Sequence, residues 1–128
     1  MITIFEEQRK GAIAHTIEHA QASLEKCLEV IRRMDGLICS QVTIQYRDNL
    51  IMIGGGSREF IVTVETSTAI HNLIGPQEEE DEFVELTVGG QACEFPQMYV
   101  VNLELVKCVI SQFIEDSSSE LDWEIIHK

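Results

Sequence analysis

Three apolar runs between residues 42 and 64 constrain the fold most strongly. Apolar and polar residues alternate over residues 42–46, which is the pattern of a strand with one buried face. Asp48-Asn49 supplies a tight turn before residues 50–53, an apolar run typical of a strand that is buried on both faces. A glycine-rich turn at residues 54–57 then leads into residues 60–64. These runs predict a three-stranded antiparallel meander.

The segment before the meander contains HTIEH at residues 15–19, which matches a zinc-binding motif of peptidases. Apolar residues recur there at alternating spacings of four and three, which predicts one amphipathic helix over roughly residues 12–34. On such a helix His15 and His19 point away from the apolar stripe and into solvent. A catalytic zinc also needs a third protein ligand, and no downstream helix offers one in a suitable context. We therefore expect two surface histidines and no metal site.

The remaining segments predict further short elements around the meander. Asn102 is a good amino-terminal cap for a helix that ends by Asp116, and residues 67–74 predict a short helix. Gly89-Gly90 supplies a turn between two strands, and Pro96 ends the second of them. Four short strands are predicted outside the meander, at residues 2–5, 83–88, 93–95 and 121–125.

The order of these elements favours adjacent hairpins packed against helices over a doubly wound sheet. We predict one domain that spans residues 1–128. Its predicted class is α+β, with a mainly antiparallel sheet of about five to six strands packed against two principal helices.

The net charge of −13 is unevenly distributed along the chain. Seven of the nine Lys and Arg residues lie in residues 1–64, whereas 14 of the 22 Asp and Glu residues lie in residues 65–128. A surface of this kind repels nucleic-acid phosphates and membrane head groups, and it attracts a basic partner. The densest run, predicted as an exposed loop because its charges repel one another, is Glu78, Glu79, Glu80, Asp81 and Glu82.

Neither catalysis nor a cofactor is indicated by the other motifs. The four cysteines form no C-x-x-C pair, so buried free thiols are favoured over disulfides or a metal site. The glycines of residues 54–56 lead into a strand, whereas a phosphate-binding loop leads into a helix. The first ten residues lack the features of a signal peptide, and no apolar run of about eighteen residues is present. We expect a cytoplasmic protein without catalytic residues, metal or cofactor.

The glycine, proline and tryptophan motifs, taken in order, resemble immunity family one, the deaminase-associated immunity proteins of bacterial polymorphic toxin systems. The resemblance covers most of the chain, and the first dozen residues and the acidic run are covered least. It includes a leading helix, a first hairpin that ends in a glycine cluster, a G-G-Q turn with a downstream glutamate and proline, and a carboxy-terminal tryptophan. The residues that match are Gly54, Gly55, Gly56, Gly89, Gly90, Gln91, Glu94, Pro96 and Trp123.

The resemblance implies an immunity protein that binds a cognate toxin domain and blocks its active site. The implied toxin is nucleic-acid-acting, such as a deaminase or a nuclease, and no catalytic residue is carried over from the family. Toxins that act on nucleic acid are usually basic, so the acidic run, with Glu94 as a further candidate, is expected to steer the toxin.

Each of the matching motif residues also has a structural interpretation. Gly89 and Gly90 suit turn dihedral angles, Pro96 stops a strand, and Trp123 serves either as a core anchor or as an exposed partner contact. An acidic adaptor that binds a protein other than a toxin is the alternative function, and an enzyme of unrecognised type is a third. The sequence leaves open whether the chain self-associates.

Overall fold

The computed structural model describes residues 1–76, 82–116 and 120–128. These ranges contain nine strands and two helices. The strands are β1 (Ile2–Lys10), β2 (Ile13–Ala22), β3 (Gln41–Tyr46), β4 (Asn49–Gly56), β5 (Glu59–Glu65), β6 (Ala69–Ile74), β7 (Phe83–Val88), β8 (Gln91–Pro96) and β9 (Asp122–His127). The helices are α1 (Leu24–Arg32) and α2 (Leu103–Ile114), and a 3₁₀ turn (Gln97–Tyr99) follows β8.

Seven of the strands form one antiparallel sheet in the order β2-β1-β3-β4-β5-β6-β9, and β7 and β8 form a separate hairpin. The predicted α+β class, with a mainly antiparallel sheet and two principal helices, is confirmed. The sheet is larger than the predicted five to six strands, because two segments assigned to helices form the strands β2 and β6 instead.

Both helices pack on one side of the sheet, which we call the helix face. The pairing of β3 with β4 places Val42 beside Ile53 and Ile44 beside Ile51, and all four side chains are buried on this face. Val106, Val109 and Ile110 of α2 and Val30 and Ile31 of α1 fill the same core. Burial of one such aliphatic side chain contributes about 1.5–3 kcal/mol. The predicted meander therefore lies at the centre of the core.

The predicted helix over residues 12–34 is wrong in its first half. Residues 13–22 form β2, and α1 begins only after Ser23, whose hydroxyl oxygen accepts a hydrogen bond from the Lys26 amide at 3.1 Å. A spacing of four residues places two side chains on one side of a strand as well as on one side of a helix. Ile13 is 62% exposed, so the supposed apolar stripe is not buried at its start.

The short helix predicted over residues 67–74 is also wrong. This segment forms β6, which pairs with β5 on one side and with β9 on the other. Ala69 and Leu73, four residues apart, are both buried, which is again a spacing that strands and helices share. The first turn of the meander is formed by Arg47 and Asp48, one residue earlier than predicted.

Other predicted elements agree with the structure. The Asn102 side chain caps α2 by accepting a hydrogen bond from the Leu105 amide at 3.0 Å. The predicted last strand is β9, which forms one edge of the seven-stranded sheet. Within the three described ranges, no helix is long and apolar enough to cross a membrane.

Candidate functional site

The β7–β8 hairpin packs on the side of the sheet opposite the helices. Successive residues of a strand point to opposite sides, so Leu86 and Val88 share the side that faces the sheet. Leu86 is buried. A Cβ atom on Gly54 would lie 2.8 Å from both Val88 methyl carbons, so the sheet accepts this strand closely because position 54 has no side chain. The hairpin is thus a docked layer with one free surface.

The outward side of this hairpin carries like charges at opposite positions. Glu85 on β7 is paired directly with Glu94 on β8, and both residues are exposed. Phe83, which points to the same side two residues before Glu85, is 60% exposed. Ala92 completes this surface, which we call the acidic hairpin face (Phe83, Glu85, Ala92 and Glu94).

The two carboxylates of the acidic hairpin face have no basic partner in the described part of the chain, which contains every Lys, Arg and His residue. The salt bridges of that part involve other acidic residues, namely Glu6, Glu7, Glu29, Glu65 and Glu104. Like charges at directly opposite strand positions repel each other and destabilise the pairing. The hairpin therefore presents negative charge that the rest of the chain does not neutralise.

The sequence predicted only part of this surface. Glu94 lies on it, and Glu82 is exposed immediately before β7, where its carbonyl oxygen accepts a hydrogen bond from the Gln97 amide at 2.9 Å. The other predicted contact residues, Glu78, Glu79, Glu80 and Asp81, lie outside the described residues. Phe83 and Glu85 were missed, although a two-residue turn at Gly89-Gly90 fixes the register that brings Glu85 opposite Glu94.

A polar network holds the tip of the hairpin against β1 and the start of β3. The Gly90 amide donates to the Ser40 hydroxyl oxygen at 3.0 Å, and Ser40 is fully buried. The Ser40 hydroxyl and amide both donate to one oxygen of Glu7, at 2.7 and 2.9 Å. Arg9 donates to the Gly89 carbonyl at 2.9 Å and to the other Glu7 oxygen at 3.3 Å. The network therefore fixes the position of the acidic hairpin face.

The protonation state of Glu7 follows from these contacts. Burial opposes ionisation of its carboxyl group, but the hydrogen bonds from Ser40 and the contact with Arg9 outweigh burial. As a net result, the pKa of Glu7 lies below its usual value of 4.5. Glu7 is thus an ionised structural anchor at neutral pH.

The G-G-Q motif and its proline occupy the positions that their structural interpretations require. Gly89 and Gly90 form the turn with positive φ angles of 60° and 79°. Gln91 is exposed at the start of β8, and Pro96 is the last residue of that strand. The other glycine cluster differs from the prediction, because Gly54, Gly55 and Gly56 end β4 and the turn itself is formed by Ser57 and Arg58.

Trp123 lies on β9, on the helix face of the sheet. Its ring makes edge contacts with the rings of Phe113 and His71, with centroids 6.0 Å apart in both pairs. The side chain is half-buried and packs against the core. This placement matches the interpretation of Trp123 as a core anchor. His71, which lies in the segment predicted as a short helix, is instead a residue of β6.

The two histidines of HTIEH lie on β2 rather than on a helix. Strand residues four positions apart are separated by roughly 13 Å along the chain, compared with roughly 6 Å along a helix, so β2 does not bring the two rings together as the helical motif requires. The prediction that both rings are solvated is wrong for His19, because its Nε2 lies 2.9 Å from Glu6 Oε1. The same oxygen accepts a hydrogen bond from Arg33 at 2.9 Å. Among the described residues, no group of three or more His, Cys, Asp or Glu side chains could hold a metal ion.

A cleft of about 410 Å³ lies beside this ion pair, and Cys39 is among the residues that line it. Burial together with the nearby Glu6 carboxylate raises the pKa of the Cys39 thiol to about 11. Burial likewise raises the pKa of Cys27 to about 11. Both thiols are therefore protonated at neutral pH and are poor nucleophiles. All four cysteines are free, and Cys27 and Cys39 are buried as predicted. The prediction of burial is wrong for Cys93, which is exposed, and Cys108 is only partly buried.

Comparisons with family models, with curated proteins and with solved structures find no match to this chain. The resemblance to immunity family one stays a prediction that rests on the motif residues.

Proposed function

We propose that this chain is a cytoplasmic immunity protein that binds a basic toxin domain and neutralises it without catalysis. The toxin class that we propose is nucleic-acid-acting, such as a deaminase or a nuclease. One observation carries the proposal more than any other: the acidic hairpin face sets two unneutralised carboxylates beside an exposed phenylalanine. The motif resemblance supports the same function.

The composition of this face suits a protein partner. An aromatic side chain that is exposed in the free protein can supply contact area and become buried on binding. Carboxylates around it attract basic residues and align them before contact. Because Glu85 and Glu94 repel each other in the free chain, a partner cation between them would relieve that repulsion and bind both. Nucleic acid and membrane head groups carry phosphate, which this face repels.

The position of the hairpin also favours recognition over support of the fold. Its inner side is fixed by Val88 on Gly54 and by the Glu7–Ser40–Gly90 hydrogen bonds. Its outer side is left to solvent. A rigid element that presents a small aromatic and charged surface loses little conformational entropy on binding. The proposed contact surface is therefore already ordered in the free chain.

Co-expression tests the proposal directly. The protein encoded next to this chain, as the candidate toxin, is expressed in a sensitive host with and without the chain, and the two purified proteins are mixed for size-exclusion chromatography. We expect growth to be rescued and an equimolar complex to elute. No rescue together with no complex would reject the immunity function and favour the acidic adaptor.

A charge-matched pair of variants locates the contact. The double variant Glu85→Gln/Glu94→Gln removes two charges from the acidic hairpin face, and Glu18→Gln/Glu120→Gln removes two exposed charges elsewhere. We expect weaker binding in the first and near-normal binding in the second. Equal weakening in both would show that net charge, and not this surface, controls the interaction.

The acidic run Glu78–Glu82 is proposed to steer the same partner. If it steers, Gln and Asn replacements should slow association and flatten its salt dependence while dissociation stays nearly constant. If these carboxylates are buried against toxin arginines, dissociation should accelerate instead. We favour steering, because five contiguous acids are more easily solvated than buried.

A further inference from the structure

A groove of about 230 Å³ lies between the main sheet and the end of β8. Its sheet side is formed by β5 and β6, and its other side is formed by β8 and the 3₁₀ turn. We call it the aromatic groove, and the side chains that define it are Ile61, Thr63, Asn72, Phe95, Pro96 and Tyr99. Phe95 directly follows Glu94, so the groove adjoins the acidic hairpin face.

Two residues of the groove hold a carboxylate on β9. The Tyr99 hydroxyl donates to one oxygen of Glu124 at 2.9 Å, and the Asn72 amide nitrogen donates to the other oxygen at 3.2 Å. The orientation of Asn72 is fixed in turn, because its carbonyl oxygen accepts a hydrogen bond from the Thr63 hydroxyl at 3.0 Å. The Glu124 carboxylate is thus held within hydrogen-bond distance of two residues that line the groove.

The charge of Glu124 is not neutralised within the described part of the chain. Its two partners are neutral donors, and no described Lys, Arg or His forms a salt bridge with it. The hydrogen bond to Glu124 raises the pKa of Tyr99, so the phenol stays neutral and continues to donate. The groove is therefore bordered by a fixed negative charge and lined by two aromatic rings, those of Phe95 and Tyr99.

We infer that the aromatic groove receives an arginine side chain of the basic partner, an inference that rests on the proposed function. An arginine has an apolar stem that fits along Ile61 and Pro96, and its planar head stacks on aromatic rings. The guanidinium carries several donors, and each Glu124 oxygen retains capacity for a further hydrogen bond. A lysine matches the charge but not the stacking, so arginine is the specific occupant.

Titration with a small arginine compound tests the groove without the toxin. N-acetyl-arginine methylamide is added to the ¹⁵N-labelled protein at constant ionic strength, and amide shifts are recorded by NMR. We expect saturable shifts confined to residues that line the groove or flank Glu124. The matched lysine compound should bind more weakly at the same residues.

Two variants test separately the negative charge and the aromatic ring of the site. Glu124→Gln keeps hydrogen-bonding groups but removes the charge, and we expect affinity for the arginine compound to fall about three- to fivefold. Phe95→Leu keeps an apolar side but removes the ring, and it should reduce the preference for arginine over lysine. Glu115→Gln, an equal charge change at the end of α2, should leave the titration unchanged.

The outcomes separate this inference from the proposed function. Shifts spread evenly over the acidic surface, an equal response to the lysine compound, or no saturable shift at all would overturn the groove assignment. Localised arginine binding without a toxin complex would retain the groove assignment and reject the toxin-binding function. A toxin complex without localised arginine binding would reject the groove assignment alone.

Discussion

The β1–β2 and β7–β8 hairpins use their carboxylates in opposite ways. On β1, Glu6 contacts His19 and Arg33, and Glu7 contacts Ser40 and Arg9. On the β7–β8 hairpin, Glu85 faces Glu94 with no basic partner in the described part of the chain. The first pair of carboxylates stabilises the fold, whereas the second opposes hairpin pairing. A surface that gives up stability in this way is typical of a binding site.

Removal of the Glu7 carboxylate should have the largest effect. We expect Glu7→Ala to lower the free energy of unfolding by about 2–4 kcal/mol, because the buried Ser40 amide and hydroxyl lose their acceptor and the Arg9 guanidinium loses its ion-pair partner. Urea denaturation measures the change. Glu18→Ala, at an exposed position on β2, serves as the control and should stay within about 0.5 kcal/mol of the parent.

The pH dependence of stability gives a second check on Glu7. Its pKa is lower in the folded state than its usual 4.5, so the unfolded chain binds the proton more tightly. The stability from Glu7 is therefore fully present above pH 4.5 and is lost as the pH falls through the lower, folded-state pKa. Glu7→Ala should lose less stability than the parent over this acid range. Parallel pH profiles would contradict the anchoring role.

Alanine at the two hairpin turns should distinguish a docked tip from a free one. Gly11 and Gly90 both have positive φ angles, of 60° and 79°, so alanine should cost about 1 kcal/mol at either from backbone strain. A Cβ on Gly11 meets nothing within 4 Å, whereas one on Gly90 collides with the Arg9 guanidinium. We expect Gly90→Ala to cost about 2 kcal/mol in total, measured by thermal unfolding. Equal costs would show that the β7–β8 tip is not held by Arg9.

The two histidines of β2 should differ in their contribution to stability. His19 contacts Glu6, so His19→Ala should cost about 0.5–1.5 kcal/mol. His15 is exposed and forms no such contact, so His15→Ala should change stability by less than about 0.5 kcal/mol. Chemical denaturation of both variants measures the difference. A larger loss for His15 would contradict the β1–β2 register.

The smallest expected effect is a gain in stability, whereas the variants above lose stability. Glu85→Gln should raise the free energy of unfolding by about 0.2–1 kcal/mol, because it removes the repulsion from Glu94. Differential scanning calorimetry at low ionic strength is the measurement, and the gain should shrink as salt is added. A destabilised variant would show that Glu85 has a stabilising partner and would remove the contrast between the hairpins.

Local patterns predicted the central meander and the edge strand β9, but not the strands β2 and β6. Alternation in residues 42–46 predicted a strand, and Asn102 predicted the start of a helix, because each of these patterns is typical of only one kind of element. Residues 13–22 and 67–74 were assigned to helices, since a spacing of four fits both periods and the choice depends on pairing with distant strands.

Prediction of the candidate site was limited in the same way, because its residues are brought together by strand pairing. Glu94 was identified from a motif resemblance, whereas its relation to Glu85 and Phe83 follows only from the strand pairing across Gly89-Gly90. The contacts of Glu124 join residues 25 and 52 positions apart in sequence. No local pattern indicates such contacts.

The association rate with the proposed toxin partner tests the central claim most directly. Stopped-flow mixing compares the parent chain, Glu85→Gln/Glu94→Gln and the charge-matched Glu18→Gln/Glu120→Gln over a range of salt concentrations. If the acidic hairpin face recognises a basic toxin, the first variant should associate several-fold more slowly at low salt and depend less on salt, while the matched variant resembles the parent. Equal association rates and salt slopes for both variants would contradict the claim.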